Sequence, residues 1–163
     1  MTNQTQNLFI VEDNPENSMR LHQFLENRFG TVYNIFTYTN AVQALSKVDS
    51  NTSIVVLDYD YFGDEGNKIV NFIKNINDKT RVIILANNDD IETEIASYQN
   101  GADDFLIKQK GVKKKLNLRI FEIISYPADY IHMKYGVNQF FVYLLFLFVI
   151  VGVLVFLGMQ TLY

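Results

Sequence analysis

Four charged side chains directly follow short apolar runs of the sequence, where they could form a reactive site. Asp58 follows one such run, Glu12 and Asp13 follow another, and Lys108 follows a third. In a parallel α/β sheet the strands are continuous apolar runs, and reactive groups collect outside their carboxyl ends. We therefore expect three carboxylates and one ammonium to meet at one edge of a sheet. Because the chain has no cysteine, any metal chemistry there must use oxygen ligands.

Each of these residues also has a simpler explanation when it is taken alone. Any apolar strand must leave the core through polar residues, and Asp is a common first residue of a loop. Three strand ends in the right order, with the right charges, favour a shared site over this explanation. Asp58 is the most informative of them, since Asp60 and Gly66 follow it closely.

The elements that must position these groups alternate regularly along the first 125 residues. Short apolar runs predict strands, and apolar residues at helical spacing predict helices between them. Asn14-Pro15 is typical of a helix start, whereas Gly30 and Asn100-Gly101 are typical of helix ends. Five β/α units imply a parallel sheet with helices on both faces. The predicted strands are 7–12, 31–36, 53–57, 81–86 and 103–107, and the predicted helices are 15–28, 40–48, 65–75, 90–99 and 112–125.

The composition changes sharply near residue 138. Residues 140–159 carry no charge and are all apolar, Tyr or Gly, which is about the 20 residues needed to cross a membrane. A core helix of this kind would be hydrophobic on all sides, and the small preceding domain could not cover it. We therefore predict three segments: a domain at 1–125, a juxtamembrane linker at 126–137 and a transmembrane helix, a tail anchor, at 138–163. The polar N-terminus shows no cleaved secretory signal.

Charge predicts how the chain lies at a membrane. Residues 1–104 carry 16 acids and 7 bases, whereas residues 105–137 carry 2 acids and 7 bases. Since these bases precede the span, we expect a single pass through the inner (cytoplasmic) membrane with the N-terminal domain in the cytoplasm. Lys113, Lys114 and Lys115 would lie near anionic lipids or form a solvated helix face. The linker tyrosines, residues 126, 130 and 135, would lie at headgroup depth or pack on the domain.

Over residues 6 to about 125, the chain resembles the response-regulator receiver domains of bacterial two-component signalling. That family has an acidic pair after the first strand, a phosphoacceptor Asp after the third and a Lys after the fifth, which here are Glu12 and Asp13, Asp58, and Lys108. Gly66 and the segment 101–105 also match the family pattern. The resemblance implies a flavodoxin-like (βα)5 fold with a five-stranded parallel sheet, to which the C-terminal transmembrane helix is added.

The resemblance also implies a chemistry for each residue. Asp58 would be the phosphoacceptor that attacks a phosphohistidine. Mg²⁺ would be held by Glu12 through water, by the carboxylates of Asp13 and Asp58, and by the backbone carbonyl of Asp60. Lys108 and the backbone of Asn87 would bind the phosphoryl group.

The chain departs from the family at several positions. Ala86 replaces the Ser or Thr whose hydroxyl reaches the phosphoryl group, and Phe105 replaces a frequent Tyr, so these two switch positions have no hydroxyl. Phe62 and Gln109 stand where the family often has Pro. Phosphorylation is still expected, but the usual conformational switch is missing one contact.

Two functions follow from these observations. The first is a membrane-anchored receiver that accepts a phosphoryl group from a histidine kinase or phosphotransfer protein and signals through protein contacts. The second is a phosphorylation-independent structural or regulatory subunit, with a degenerate receiver for docking and a membrane protein complex as the partner of its transmembrane helix. No nucleic-acid partner is expected, because the phosphoacceptor half is acidic. His22 and His132 lack the setting of phosphotransfer histidines.

Overall fold

The computed structural model describes residues 6–62, 65–87, 89–124 and 139–162. The chain divides into two compact units, Thr2–Ile123 and Ile124–Tyr163. The whole predicted linker 126–137, including its three tyrosines and His132, lies outside the described residues.

In the residues that the structure describes, the first unit contains five strands and six helices, and the second contains one helix. The strands are β1 (Gln6–Val11), β2 (Tyr33–Tyr38), β3 (Thr52–Asp58), β4 (Arg81–Ala86) and β5 (Asp104–Ile107). The helices are α1 (Pro15–Phe29), α2 (Ala41–Leu45), α3 (Tyr59–Phe62), α4 (Glu65–Ile76), α5 (Ile91–Gln99) and α6 (Val112–Ile124), with α7 (Gln139–Leu162) in the second unit.

The five strands form one parallel sheet in the order β2-β1-β3-β4-β5. This confirms the predicted flavodoxin-like arrangement, in which the strand order reverses beside the first strand. The central strands are buried along almost their whole length, and residues 54–58 of β3 are all buried. Since β3 lies between β1 and β4, its last residue, Asp58, reaches the middle of the carboxyl edge.

Local signals explain where the helices begin and end. The side chain of Asn14 accepts hydrogen bonds from the backbone N–H groups of Glu16 (2.9 Å) and Asn17 (3.1 Å), so it caps α1 as predicted. Pro15 takes the first helical position, where a missing N–H costs nothing. After α5, Gly101 adopts φ +100°, a conformation that favours glycine.

Three features differ from the sequence prediction by more than one residue. Helix α2 covers residues 41–45 rather than 40–48, because Asn40 caps its start and Ser46 caps its end. The second strand runs from residue 33 to 38 rather than from 31 to 36, because Thr31 and Val32 lie in a turn in which the Val32 N–H donates to Phe29 O over 2.8 Å. The short helix α3 was not predicted, because a single turn carries no apolar periodicity.

Helix α7 has the properties predicted for a membrane span. Residues 140–160 form a stretch long and apolar enough to cross a membrane, since 21 helical residues extend about 30 Å. Its large apolar side chains are mostly exposed, with Phe148 at 71%. That exposure is unlike the buried apolar surface of a soluble core helix.

Candidate functional site

The predicted site residues meet at the carboxyl edge of the sheet. Asp58 is the last residue of β3, Glu12 and Asp13 directly follow β1, and Lys108 directly follows β5. In the sheet register Asp58 lies beside Leu85, next to the end of β4. The parallel topology therefore brings together groups that lie far apart along the chain.

Three carboxylates form a tight cluster at this edge. One oxygen from each of Glu12, Asp13 and Asp58 lies within 4.8 Å of the others. Glu12 and Asp58 are each only 4% exposed, so water screens their charges poorly. Burial, then a side-chain hydrogen bond with Asp58 and the negative charge of Asp58, raise the pKa of Glu12 to about 7. Full ionisation of all three carboxylates is therefore unfavourable, because they lie close together and two of them are shielded from water.

Lys108 supplies a positive charge to this cluster. Its Nζ donates a hydrogen bond to Asp58 Oδ2 and lies 3.0 Å from Asp60 Oδ2. Burial alone would lower the pKa of Lys108, but its bonds with Asp58 and Asp60 outweigh burial, so that the pKa is raised. The lysine is therefore a fixed cation shared by two carboxylates.

Asp60 contributes through its side chain, which the sequence did not predict. Both of its carboxylate oxygens accept the backbone N–H of Asn87, at 2.9 and 3.0 Å. Its own backbone N–H donates to Asp58 Oδ1 over 3.1 Å. The family resemblance predicts a role for the backbone carbonyl of Asp60. It does not predict the contacts of the side chain, because a motif does not indicate where a side chain points. The short helix α3 sets that direction.

The donor set fits a hard divalent cation. Mg²⁺ prefers oxygen ligands and is usually held by one or two carboxylates together with water. Glu12, Asp13 and Asp58 offer carboxylate oxygens within 4.8 Å of one another, and a divalent cation would offset the negative charge that they bring together. The chemistry of the residues therefore agrees with the predicted metal.

The two predicted switch positions, Ala86 and Phe105, both lie in the hydrophobic core. Ala86 ends β4 and is 3% exposed, and its carbonyl oxygen accepts the Lys108 N–H over 2.7 Å. Phe105 is 7% exposed and meets the Tyr59 ring edge to face, with centroids 6.5 Å apart. Tyr59, which directly follows Asp58, thus packs its ring against Phe105.

A close approach explains Gly66. A Cβ added at this residue would lie 2.7 Å from Cδ2 of the Tyr59 ring, closer than real Cβ contacts. The ring is also anchored at its far end, where Asn67 Nδ2 donates to the Tyr59 hydroxyl over 3.3 Å. Only glycine allows α4 to start this close to Tyr59.

Hydrogen bonds continue from Tyr59 to helix α5. The buried hydroxyl of Ser97 donates to Asn67 Oδ1 over 3.1 Å and lies 2.8 Å from Thr93 O. The residue next to Asp58 is thereby connected through α4 to α5 by side-chain contacts. No sequence motif indicated this connection.

A cavity of about 260 Å³ opens beside the cluster, between α1 and the start of α6. Glu12 and Lys108 line it, and Arg20 and Lys113 add positive charge. His22, also on α1, is half-buried. The cluster can therefore be reached from the side on which these basic residues lie.

Comparisons with known proteins agree with this geometry. A sequence model of the response regulator receiver domain matches residues 8–119. No curated protein matches the chain. Among solved structures, the BeF3-activated receiver domain of DrrB, an OmpR/PhoB homologue from Thermotoga maritima, is 21% identical with a TM-score of 0.64, over 74% of this chain and 98% of that one.

Two further structures have the same fold. A CheY-like receiver domain protein from Methanospirillum hungatei is 17% identical with a TM-score of 0.63, over 74% of this chain and 94% of that one. A two-component response regulator from Clostridium difficile is 22% identical with a TM-score of 0.63, over 74% of this chain and 97% of that one.

Proposed function

The chain belongs to the response regulator receiver domain family, and we propose that it accepts a phosphoryl group on Asp58 from a histidine kinase or phosphotransfer protein. The observation that carries this proposal is the pairing of buried Asp58 with Lys108 next to the carboxylates of Glu12 and Asp13. A purely structural ion pair would not need two further acids crowded against it.

The proposed reaction moves one phosphoryl group between two side chains. An oxygen of the ionised Asp58 carboxylate attacks the phosphorus of a phosphohistidine. The new O–P bond forms an acyl phosphate as the P–N bond breaks, and the bonding electrons return to the imidazole nitrogen, which then takes a proton from water. Lys108 offsets the negative charge that the phosphoryl oxygens bring into the site.

The neighbouring acids have a supporting role in this proposal. Asp13 and Asp58 would hold Mg²⁺ through their carboxylates, Asp60 through its backbone carbonyl and Glu12 through water. When bound, the ion would neutralise charge between these carboxylates and the phosphoryl oxygens. Asn87 would offer its backbone N–H to the phosphoryl group, at the start of the loop between β4 and α5.

Acetyl phosphate can test the phosphoacceptor. The full chain in mild detergent is incubated with acetyl phosphate and Mg²⁺, and intact mass is measured. We expect the mass of one phosphoryl group to be added to the unmodified sequence and to an Asp89→Asn control, in which an exposed loop acid is changed. Asp58→Asn should not gain this mass. An adduct that persists in Asp58→Asn, or none in the unmodified chain, would contradict the proposal.

We also propose that α7 anchors the domain in the inner membrane by a single pass. The length and apolar surface of the helix support the span, and the excess of bases in residues 105–137 supports a cytoplasmic domain. The full chain should stay with membranes after an alkaline carbonate wash, and a chain cut after residue 137 should not. Protease added to intact spheroplasts should leave the domain uncut.

One observation favours a second function. Ala86 has no hydroxyl with which to report a phosphoryl group, which suits a receiver that docks without being phosphorylated. In this alternative the chain is a regulatory subunit of a membrane complex that α7 joins. Purification in mild detergent separates the two functions: a stable partner that Asp58→Asn retains supports the subunit, whereas a lone monomer counts against it.

A further inference from the structure

The side chain of Asp60 holds the two groups that are expected to bind the phosphoryl group. Its Oδ2 lies 3.0 Å from Lys108 Nζ, and both of its oxygens accept the Asn87 N–H. We propose that the Asp60 carboxylate occupies the phosphoryl-binding donors of the resting domain and must leave them before Asp58 can be phosphorylated. This inference rests on the proposed function.

The Asp60 carboxylate resembles a phosphoryl group in shape and charge. A carboxylate presents two anionic oxygens, and an incoming phosphoryl group presents anionic oxygens to the same donors. The Lys108 ammonium already bonds both Asp58 and Asp60. A phosphoryl group on Asp58 would bring further negative charge close to Asp60, because both carboxylates contact the same ammonium, and like charges so placed repel each other. Asp60 and the phosphoryl group therefore compete for Lys108 and for the Asn87 N–H.

Asp60 is freer to move than Asp58. The side chain of Asp60 is 28% exposed, whereas that of Asp58 is 4% exposed. Asp60 also lies on the single-turn helix α3, and Asp58 ends the central strand β3. Rotation of Asp60 into water would leave its charge solvated, so the carboxylate can be displaced without burying an unpaired ion. Asp58 has no such exit.

The contact also ties the residue after β4 to helix α3. Asn87 directly follows β4. Among the described residues, Asp60 on α3 is the one acceptor of its N–H. The hydroxyl that pulls the loop after β4 inward in relatives is replaced by Ala86. Asp60 thus holds, in the resting domain, the Asn87 N–H that a phosphoryl group would otherwise have to recruit.

Beryllofluoride tests the competition without a transfer step, because this group activates the DrrB receiver domain. The full chain in detergent is titrated with BeF3⁻ in the presence of Mg²⁺, and binding is followed by fluorine NMR. Asp60→Asn keeps the shape of the side chain and removes its charge, and Asp60→Ala removes both. Glu65→Gln is the matched control, because it removes one exposed negative charge from the first turn of α4.

We expect both Asp60 variants to bind BeF3⁻ about tenfold more tightly than the unmodified chain, the effect of freeing roughly one charged hydrogen bond. Glu65→Gln should change the affinity by no more than about twofold. The backbone amide resonance of Asn87 should also shift in Asp60→Asn before any ligand is added, because its acceptor changes. This second readout does not depend on phosphorylation chemistry.

The outcomes separate this inference from the proposed function. If acetyl phosphate modifies Asp58 in the unmodified chain but the Asp60 variants bind BeF3⁻ equally or more weakly, only the competition is wrong. An unchanged Asn87 amide in Asp60→Asn also overturns it. If neither the unmodified chain nor a folded Asp60 variant accepts BeF3⁻ or a phosphoryl group, both proposals fail. Binding by the variants alone would support a fully closed resting site.

Discussion

Lys74 donates a hydrogen bond to Asp103 over 2.7 Å and so ties the end of α4 to the start of β5. The same carboxylate accepts the Arg81 guanidinium at 2.6 Å and the Val82 N–H at 2.8 Å. Burial disfavours the charged form of Asp103, but the bonds with Lys74, Val82 and Arg81 outweigh it and hold the pKa of Asp103 below its ordinary value. The carboxylate is thus a junction at the amino edge of the sheet, opposite the site.

This junction predicts a pH-dependent loss of stability. Asp103→Asn should lower the free energy of unfolding by about 1–3 kcal/mol at pH 7, because charged hydrogen bonds are lost while the donors stay partly buried. Since the folded pKa is lowered, the unfolded chain binds more protons as the pH falls, and the contribution of Asp103 is lost below about pH 4. Urea unfolding of the full chain in detergent, at pH 7 and at pH 3, measures both values. The exposed Asp78→Asn is the control, and a deficit in Asp103→Asn that is equal at both pH values would contradict the explanation.

The contact between Gly66 and Tyr59 predicts a steric cost. Gly66→Ala places a methyl group 2.7 Å from the Tyr59 ring, and the ring is held between Phe105 and Asn67. We expect a loss of about 1–3 kcal/mol, the usual cost of overpacking. Gly152→Ala in α7 is the matched control, since its Cβ would meet no atom within 4 Å. Equal urea midpoints for the two variants would contradict the prediction, because they would show that the Tyr59 ring can move away from the added methyl group without loss of stability.

Lys108 predicts two effects of opposite sign. Lys108→Ala removes the cation that Asp58 shares with Asp60, so that Mg²⁺ should bind more tightly to the more negative site. The same change should weaken BeF3⁻ binding, because the phosphoryl donor is lost. Isothermal titration with Mg²⁺ alone, then with BeF3⁻, measures the two affinities. Lys110→Ala, an exposed lysine two residues away, should alter neither, and a fall in both affinities for Lys108→Ala would contradict the assignment.

The hydrogen bonds between Tyr59 and α5 predict a smaller structural effect. Ser97 is fully buried and donates to Asn67 Oδ1. Ser97→Ala leaves that amide oxygen without this donor and should lower the free energy of unfolding by about 1–2 kcal/mol. The exposed Ser50→Ala should change it by less than about 0.5 kcal/mol. If the two variants unfold at the same urea concentration, the Ser97 hydroxyl has no stabilising role.

Much of the fold could be predicted because the strands are short apolar runs separated by clear helix signals. Asn14 and Pro15 define the start of α1 in both sequence and structure, and Gly101 follows α5 in both. The ends of β2 were harder to predict from the sequence, because this edge strand is only partly buried and leaves Phe36 44% exposed. Its pattern of apolar residues therefore carries less information than that of the buried strand β3.

The sequence predicted which residues form the site, but not the contacts between their side chains. Strand order alone brings Glu12, Asp13, Asp58 and Lys108 to one edge. The direction of the Asp60 side chain depends on the single helical turn α3, and a turn of four residues has no sequence period to reveal it. The bonds from Tyr59 to Ser97 depend in the same way on how α4 packs against α5.

The site exists only when the sheet is assembled, since Asp58 and Lys108 are 50 positions apart and come from different strands. In the unfolded chain neither the acidic cluster nor its lysine is present as a unit, so a ligand of the site binds the folded state alone. At a concentration one hundred times its dissociation constant, such a ligand raises the free energy of unfolding by about 2.7 kcal/mol. Ligand binding and folding are therefore linked equilibria. A rise in the melting temperature of the domain on addition of a ligand measures its binding to the site.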